Sequence, residues 1–184
     1  MDYKDYIVIT NRQLCTGDYY EQIKKVASLK PYALILREKD LSDQEYMEMC
    51  VKVKSICDEY GVLFIVHQRI GIAKELKLRN IHIPFSMLES INEGDFDYIS
   101  VSCHSIEEAI EIDKSIANQI VLGTIFETDC KKGLKGKGIE FVREVASLTS
   151  KPIYAIGGIK ESNISMVMEA GAKGGCMMSR FMQM

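Results

Sequence analysis

A histidine at position 67 and a pair of glycines at 157 and 158, each just after a short apolar run, are the residues best suited to chemistry. An imidazole titrates near neutrality, so His67 can take up and return a proton, a role worth about 10²–10⁴-fold in rate. In Ala155-Ile156-Gly157-Gly158-Ile159 the glycines let the backbone come close to an anion and present its amides. The run Cys176-Met177-Met178-Ser179 adds a hydroxyl, and a helix start there would add about 0.3–1 kcal/mol of anion preference. The plain alternative is that these glycines only turn a strand into a helix. In Leu36-Arg37-Glu38-Lys39-Asp40 strand alternation places Arg37 and Lys39 on one face. Two such cations suit a phosphate or pyrophosphate; the alternative is a solvated charge run.

The segment from Gly123 to Gly138 is polar and lysine-rich, with Thr128, Lys131 and Lys132 in its middle. Loops of this kind act as lids, and its lysines can close on a second phosphate. A merely solvated loop is the competing reading. Cys130 lies beside lysines that can lower a thiol pKa, but no nucleophilic role is assigned to it. His82 sits inside an apolar run and reads as a hydrogen-bonded core residue. His104, next to Ser105, reads as a packing and capping residue. No histidine–carboxylate spacing forms a zinc set, so no metal ligands are assigned.

These residues need a frame that brings strand ends together. Eight apolar runs, at 6–10, 33–36, 63–66, 81–83, 98–102, 120–124, 153–156 and 175–178, mostly lack polar alternation. That is the mark of parallel strands covered on both faces. Between them lie amphipathic stretches at 18–29, 42–60, 70–78, 87–91, 105–117, 139–149 and 162–170. Ser42-Asp43-Gln44-Glu45 and Ser105-Ile106-Glu107-Glu108 read as capping boxes, and Gly61 as a C-terminal stop. The order predicts an α/β fold, a (β/α)8 TIM barrel, with 1–184 as one domain. An open doubly wound sheet is the rival, but no Gly-x-Gly-x-x-Gly follows the first strand. Only six residues follow the eighth strand. The barrel should therefore be short, with its final helix missing or vestigial and some apolar surface exposed at that place. A homodimer partner is expected to cover it.

The 184 residues are 47% hydrophobic and 27% charged, with a formal net charge of −3. That suffices for one core and gives no basic block for nucleic acid. No run of about 18 apolar residues would span a membrane, and the polar start does not read as a signal peptide. The six cysteines form no Cys-x-x-Cys pair. They are expected reduced in a cytoplasmic protein, with Cys50 and Cys57 as small buried helix residues.

Along nearly its whole length the chain resembles the thiamine phosphate synthase and TenI superfamily. The stretches that carry the resemblance are 6–11, 36–40, Ile81-His82-Ile83-Pro84, Ser102-Cys103-His104-Ser105 with Glu108-Ala109, 123–138, 155–159 and 171–179. The lid segment looks most like the TenI, or thiazole tautomerase, branch. The resemblance implies that Gly157, Gly158, Met178 and Ser179 hold a thiazole phosphate. It also implies that Arg37, Lys39 and Lys131 hold a pyrimidine pyrophosphate.

Two departures stand out. The synthase pattern places Asn-Asp after the third strand and Asp after the fourth, as carboxylates for Mg²⁺. Here those positions read His67-Gln68 and Pro84-Phe85-Ser86-Met87, and a glutamine of the pattern is Ile35. The tautomerase pattern places a histidine where Thr124 stands. The expectation is a TenI-like tautomerase of thiamine biosynthesis that binds a thiazole phosphate and uses His67 as acid or base, without a cofactor. One alternative is the synthase, which joins the pyrimidine to the thiazole, releases pyrophosphate and needs Mg²⁺. The other is a non-catalytic regulatory protein that only binds the phosphorylated ligand.

Overall fold

The apolar runs are too short and too uniformly hydrophobic to leave a face in water, so each must be covered by the segment that follows it. The computed structural model describes residues 3–128 and 135–184. Its strands are β1 (Tyr6–Ile9), β2 (Ala33–Leu36), β3 (Leu63–His67), β4 (Asn80–Pro84), β5 (Tyr98–Cys103), β6 (Gln119–Gly123), β7 (Ile153–Ile156) and β8 (Gly174–Met177). They pair in chain order, all parallel, and β8 returns to β1 to close the barrel. The helices are α1 (Tyr19–Ser28), α2 (Asp43–Tyr60), α3 (Ile70–Glu75), α4 (Ile106–Lys114), α5 (Gly138–Leu148), α6 (Ile164–Glu169) and α7 (Ser179–Met182). This is the (β/α)8 barrel the pattern predicts.

Outward strand residues such as Leu34, Val66, Ile83, Val101 and Leu122 are fully buried under the helices. They meet Ile23 and Val26 of α1, Val53 and Cys57 of α2, Ile112 of α4 and Val145 of α5 in one core. Each such side chain stabilises by about 1.5–3 kcal/mol. A second, smaller core fills the barrel: Ile7, Ile9, Ala33, Ile35, Ile65, Val121, Tyr154 and Cys176.

The capping signals are partly as expected. Ser42 accepts from the Glu45 amide while the Glu45 side chain accepts from the Ser42 amide, and Gly61 ends α2 at φ +71°. At Ser105 the box is incomplete. Ser105 accepts from the Glu108 amide at 3.2 Å, but Glu108 Oε2 accepts from His104 N–H at 2.5 Å, one residue earlier. The helix expected over 87–91 is a 3₁₀ turn, Phe85–Ser90, with Leu88 its one buried residue. A single apolar anchor cannot hold an amphipathic α-helix to the barrel.

The eighth helix is a single turn, α7. At the place where apolar surface is expected, the large side chains of α7 itself are covered. Phe181 and Met182 are buried, and Phe181 lies edge-on to Tyr3 and Tyr6 at ring distances of 5.8 and 6.1 Å. Gln22 of α1 donates to the Phe181 carbonyl at 2.5 Å. The aromatic cluster and α1 close the gap beside β8.

Candidate functional site

Where β7 ends, Gly157 and Gly158 have φ of +98° and +63°. A Cβ on Gly157 would lie 2.3 Å from Thr124 Cγ2. One on Gly158 would lie 2.6 Å from the Glu127 carbonyl oxygen. Only glycine fits this turn. Its carbonyls are engaged: Phe126 N–H donates to Gly157 O at 3.0 Å, and Asn163 Nδ2 to Gly158 O at 2.9 Å. What such peptides can still offer a ligand is N–H, which suits an anion. The β7–β8 register pairs Ile156 with Cys176, so Met178 and Ser179 follow on the neighbouring strand. Met178 packs on the barrel-interior core, and Ser179 opens α7 half-buried.

Further around the ring, three and four strands from β7 at β2 and β3, the rim is cationic. Arg37 is half-buried and Lys39 exposed, while Glu38 between them is buried on the opposite face. Glu38 is a structural knot: it accepts from Thr10 Oγ1 at 2.7 Å, from the Arg12 amide at 3.0 Å through both oxygens, and from Tyr19 OH at 3.3 Å. Arg12 pairs with Asp40 at 2.8 Å, and this guanidinium holds the Asp40 carboxyl below the usual range.

His67 ends β3 at the mouth. Its amide donates to Tyr46 OH at 3.2 Å, and that hydroxyl donates to Leu36 O at 2.5 Å. Its ring stacks on His82 with centroids 5.7 Å apart. Burial, followed by the neighbouring His82 and the cations Arg37, Lys39 and Arg69, pushes its pKa down to about 2. The ring is therefore neutral at pH 7 and a weak base. The acid–base role expected of it would have to work from this lowered pKa.

His82 is the hydrogen-bonded core residue its sequence context predicts, and it belongs to a longer chain. Its Nδ1 and Nε2 each lie 2.9 Å from a hydroxyl, those of Ser100 and Ser102. Gln119 Nε2 donates to Ser100 at 3.0 Å, Tyr98 OH donates to Gln119 Oε1, and Tyr32 OH lies 3.2 Å from Tyr98 OH. Burial holds the His82 pKa down at about 4. This polar chain crosses the barrel from the Tyr32 end to the mouth. The β4–β5 and β5–β6 registers, His82 with Ser100 and Ser100 with Gln119, create it. The alternation Tyr98-x-Ser100-x-Ser102 was the signal for it.

His104 is exposed and leaves the capping of α4 to Ser105; its Nδ1 lies 2.7 Å from the Gly123 carbonyl. Thr124 is buried, its methyl at the Gly157 turn. The segment expected to act as a lid is described at its two ends only. Lys137 and Gly138 amides donate to Thr124 and Ile125 carbonyls at 2.9 Å, closing the base of the loop. Thr128 is half-buried. Lys131 and Lys132, and Cys130 between them and Thr128, lie outside the described residues. A depression of about 480 Å³ lies elsewhere, at the opposite end of the barrel by Thr149, Lys151 and Lys173. It holds none of these groups.

A family model described as thiamine monophosphate synthase matches residues 6–181. The chain belongs to the thiamine monophosphate synthase family. A thiamine-phosphate synthase of Clostridium acetobutylicum is 32% identical over 178 residues, covering 95% of this chain and 84% of that protein. One from Fusobacterium nucleatum is 30% identical over 187 residues, covering 97% and 90%. The solved thiamine phosphate pyrophosphorylase of Pyrococcus furiosus superposes with a TM-score of 0.82 at 25% identity, covering 97% of this chain and 87% of that one. The expected superfamily is thus the one found, and these relatives carry the name of the synthase rather than of the tautomerase.

Mg²⁺, which the synthase resemblance implies, does not fit the residues present. The positions for its carboxylates hold His67, Gln68 and residues 84–87, all without a negative charge. Among the described residues, no group of three or more His, Cys, Asp or Glu side chains could hold a metal ion. No helix among them is long and apolar enough to cross a membrane.

Proposed function

We propose that this chain joins a pyrimidine pyrophosphate to a thiazole phosphate. The thiazole phosphate would sit on the Gly157–Gly158 turn and beside Ser179, and the pyrophosphate against Arg37 and Lys39. The observation that carries this reading is the pairing of two anion-suited rims around one mouth, in a chain whose relatives are named for that reaction. In the reaction, the bond from the pyrimidine methylene to the pyrophosphate oxygen breaks. The oxygen leaves with the electron pair, and the thiazole nitrogen supplies a pair to the methylene carbon. The fixed cations stabilise the charge that collects on the leaving group. His67, neutral and stacked on His82, would border the pyrimidine as a polar wall rather than shuttle its proton.

Tautomerisation, the reaction expected first, has less support: burial and the neighbouring cations lower the His67 pKa, and Thr124, where the pattern places a histidine, has no titratable group. The deciding experiment supplies the protein with both ligands and follows thiamine phosphate by mass spectrometry and pyrophosphate by its release. Formation of both supports the proposal. Tautomerised thiazole without joining would restore the tautomerase, and tight thiazole phosphate binding without turnover would indicate the regulatory protein.

A further inference from the structure

Each carboxylate of the β2–α2 segment is already committed. Glu38 is held by Thr10, the Arg12 amide and Tyr19 on the outer face of β2. Asp40 is held by Arg12 and by Gln13 Nε2 at 3.1 Å. Asp43, at the start of α2, pairs with Arg69. At the mouth itself stand neutral groups: the His67 ring, the Gln68 amide at φ +64°, and the serine-bonded His82 behind them. The charged side chains whose potential reaches His67 are Arg37, Lys39 and Arg69, all positive. A divalent cation placed here would meet three positive charges and no available carboxylate among the described residues. A polyanion would meet the reverse.

We propose that the β2–β3 side of the mouth binds a diphosphate group without a divalent metal, Arg37 and Lys39 supplying the positive charge that Mg²⁺ supplies where carboxylates hold it. This deepens the proposed function and shares its site, but it concerns binding alone. Two consequences separate it from a metal-dependent subsite. Chelating all divalent ions leaves diphosphate affinity intact. Adding Mg²⁺ weakens it, because the magnesium complex of pyrophosphate carries two fewer negative charges into a field built by fixed cations.

The test is titration calorimetry of the full chain with inorganic pyrophosphate, first in EDTA and then with Mg²⁺ in excess over the ligand. Saturable binding in EDTA that weakens at least threefold in Mg²⁺ is expected. Arg37→Ala should weaken binding about tenfold or more, and Arg37→Lys should retain part of it, with circular dichroism checking that both variants fold. Binding that appears only with Mg²⁺, no binding in either condition, or an Arg37→Ala protein that binds as the wild type does, each overturns the proposal. Metal-free diphosphate binding without formation of thiamine phosphate would leave this inference standing and sink the proposed reaction. Joining that requires Mg²⁺, with no binding in EDTA, would do the opposite.

Discussion

Replacing Gly158 by alanine separates the two constraints on the β7 turn. At φ +63° an L-residue loses about 1 kcal/mol against its favoured conformations. The new Cβ would also stand 2.6 Å from the Glu127 carbonyl oxygen and 2.7 Å from Phe126 Cβ. Both are held by the loop that donates to Gly157, so the clash should cost a further 1–3 kcal/mol or so. Gly61 is the control: its φ is +71° and nothing lies within 4 Å of the Cβ position. Gly61→Ala should cost about 1 kcal/mol and Gly158→Ala about 2–4 kcal/mol, both read by urea denaturation at equal m-value. The displaced turn should also weaken thiazole phosphate binding by tenfold or more, while Gly61→Ala leaves it unchanged. Equal destabilisation by the two substitutions would refute the packing argument. A folded Gly158→Ala protein with wild-type affinity would refute the placement of the phosphate.

Tyr46→Phe removes the hydroxyl that joins Leu36 C=O to His67 N–H in a buried setting. It should cost about 1–3 kcal/mol in urea denaturation, and a loss under about 0.5 kcal/mol would show that water replaces it. Burial holds His82 at a pKa of about 4 in the fold, against 6.5 ordinarily. The unfolded chain therefore takes up its proton first as pH falls. The stabilisation is complete above about pH 6.5 and lost between there and about pH 4, on the order of 3 kcal/mol in all. His82→Gln should reduce the pH slope of stability, the buried His67 supplying the remainder, and an unchanged slope would show that His82 is not a source of it. Cys50 and Cys57, pushed up to about 12 by burial, should stay unlabelled by iodoacetamide at pH 8 in the native protein and react once it is unfolded; peptide mass mapping reads this directly.

The frame was legible because its signals are local. Each strand end falls within one residue of the apolar run that marks it, and α2 is bracketed by Ser42 and Gly61. The glycine turn and the Arg37–Lys39 face were also visible, since strand parity alone assigns them. What depended on neighbours was not. The polar chain through the barrel needs the inter-strand register, which places Ser100 beside both His82 and Gln119. The state of His67 needs its burial and the positions of His82, Arg37 and Lys39 from other segments. The closure by Phe181 needs Tyr3 and Tyr6, more than 170 residues away in sequence.

That closure has a consequence for how the chain is made. A finished ring has no open strand edge, but a growing one does. The partner of β1 on one side is β8, and 168 positions separate Tyr6 from Gly174. At ribosomal speeds of about 5–20 residues per second, the outer edge of β1 waits on the order of ten to thirty seconds for its neighbour. Its side chains, Tyr6-Ile7-Val8-Ile9, are those of an aggregation-prone segment. During synthesis this chain is exposed to pairing with other nascent copies, and the vulnerable strand is β1.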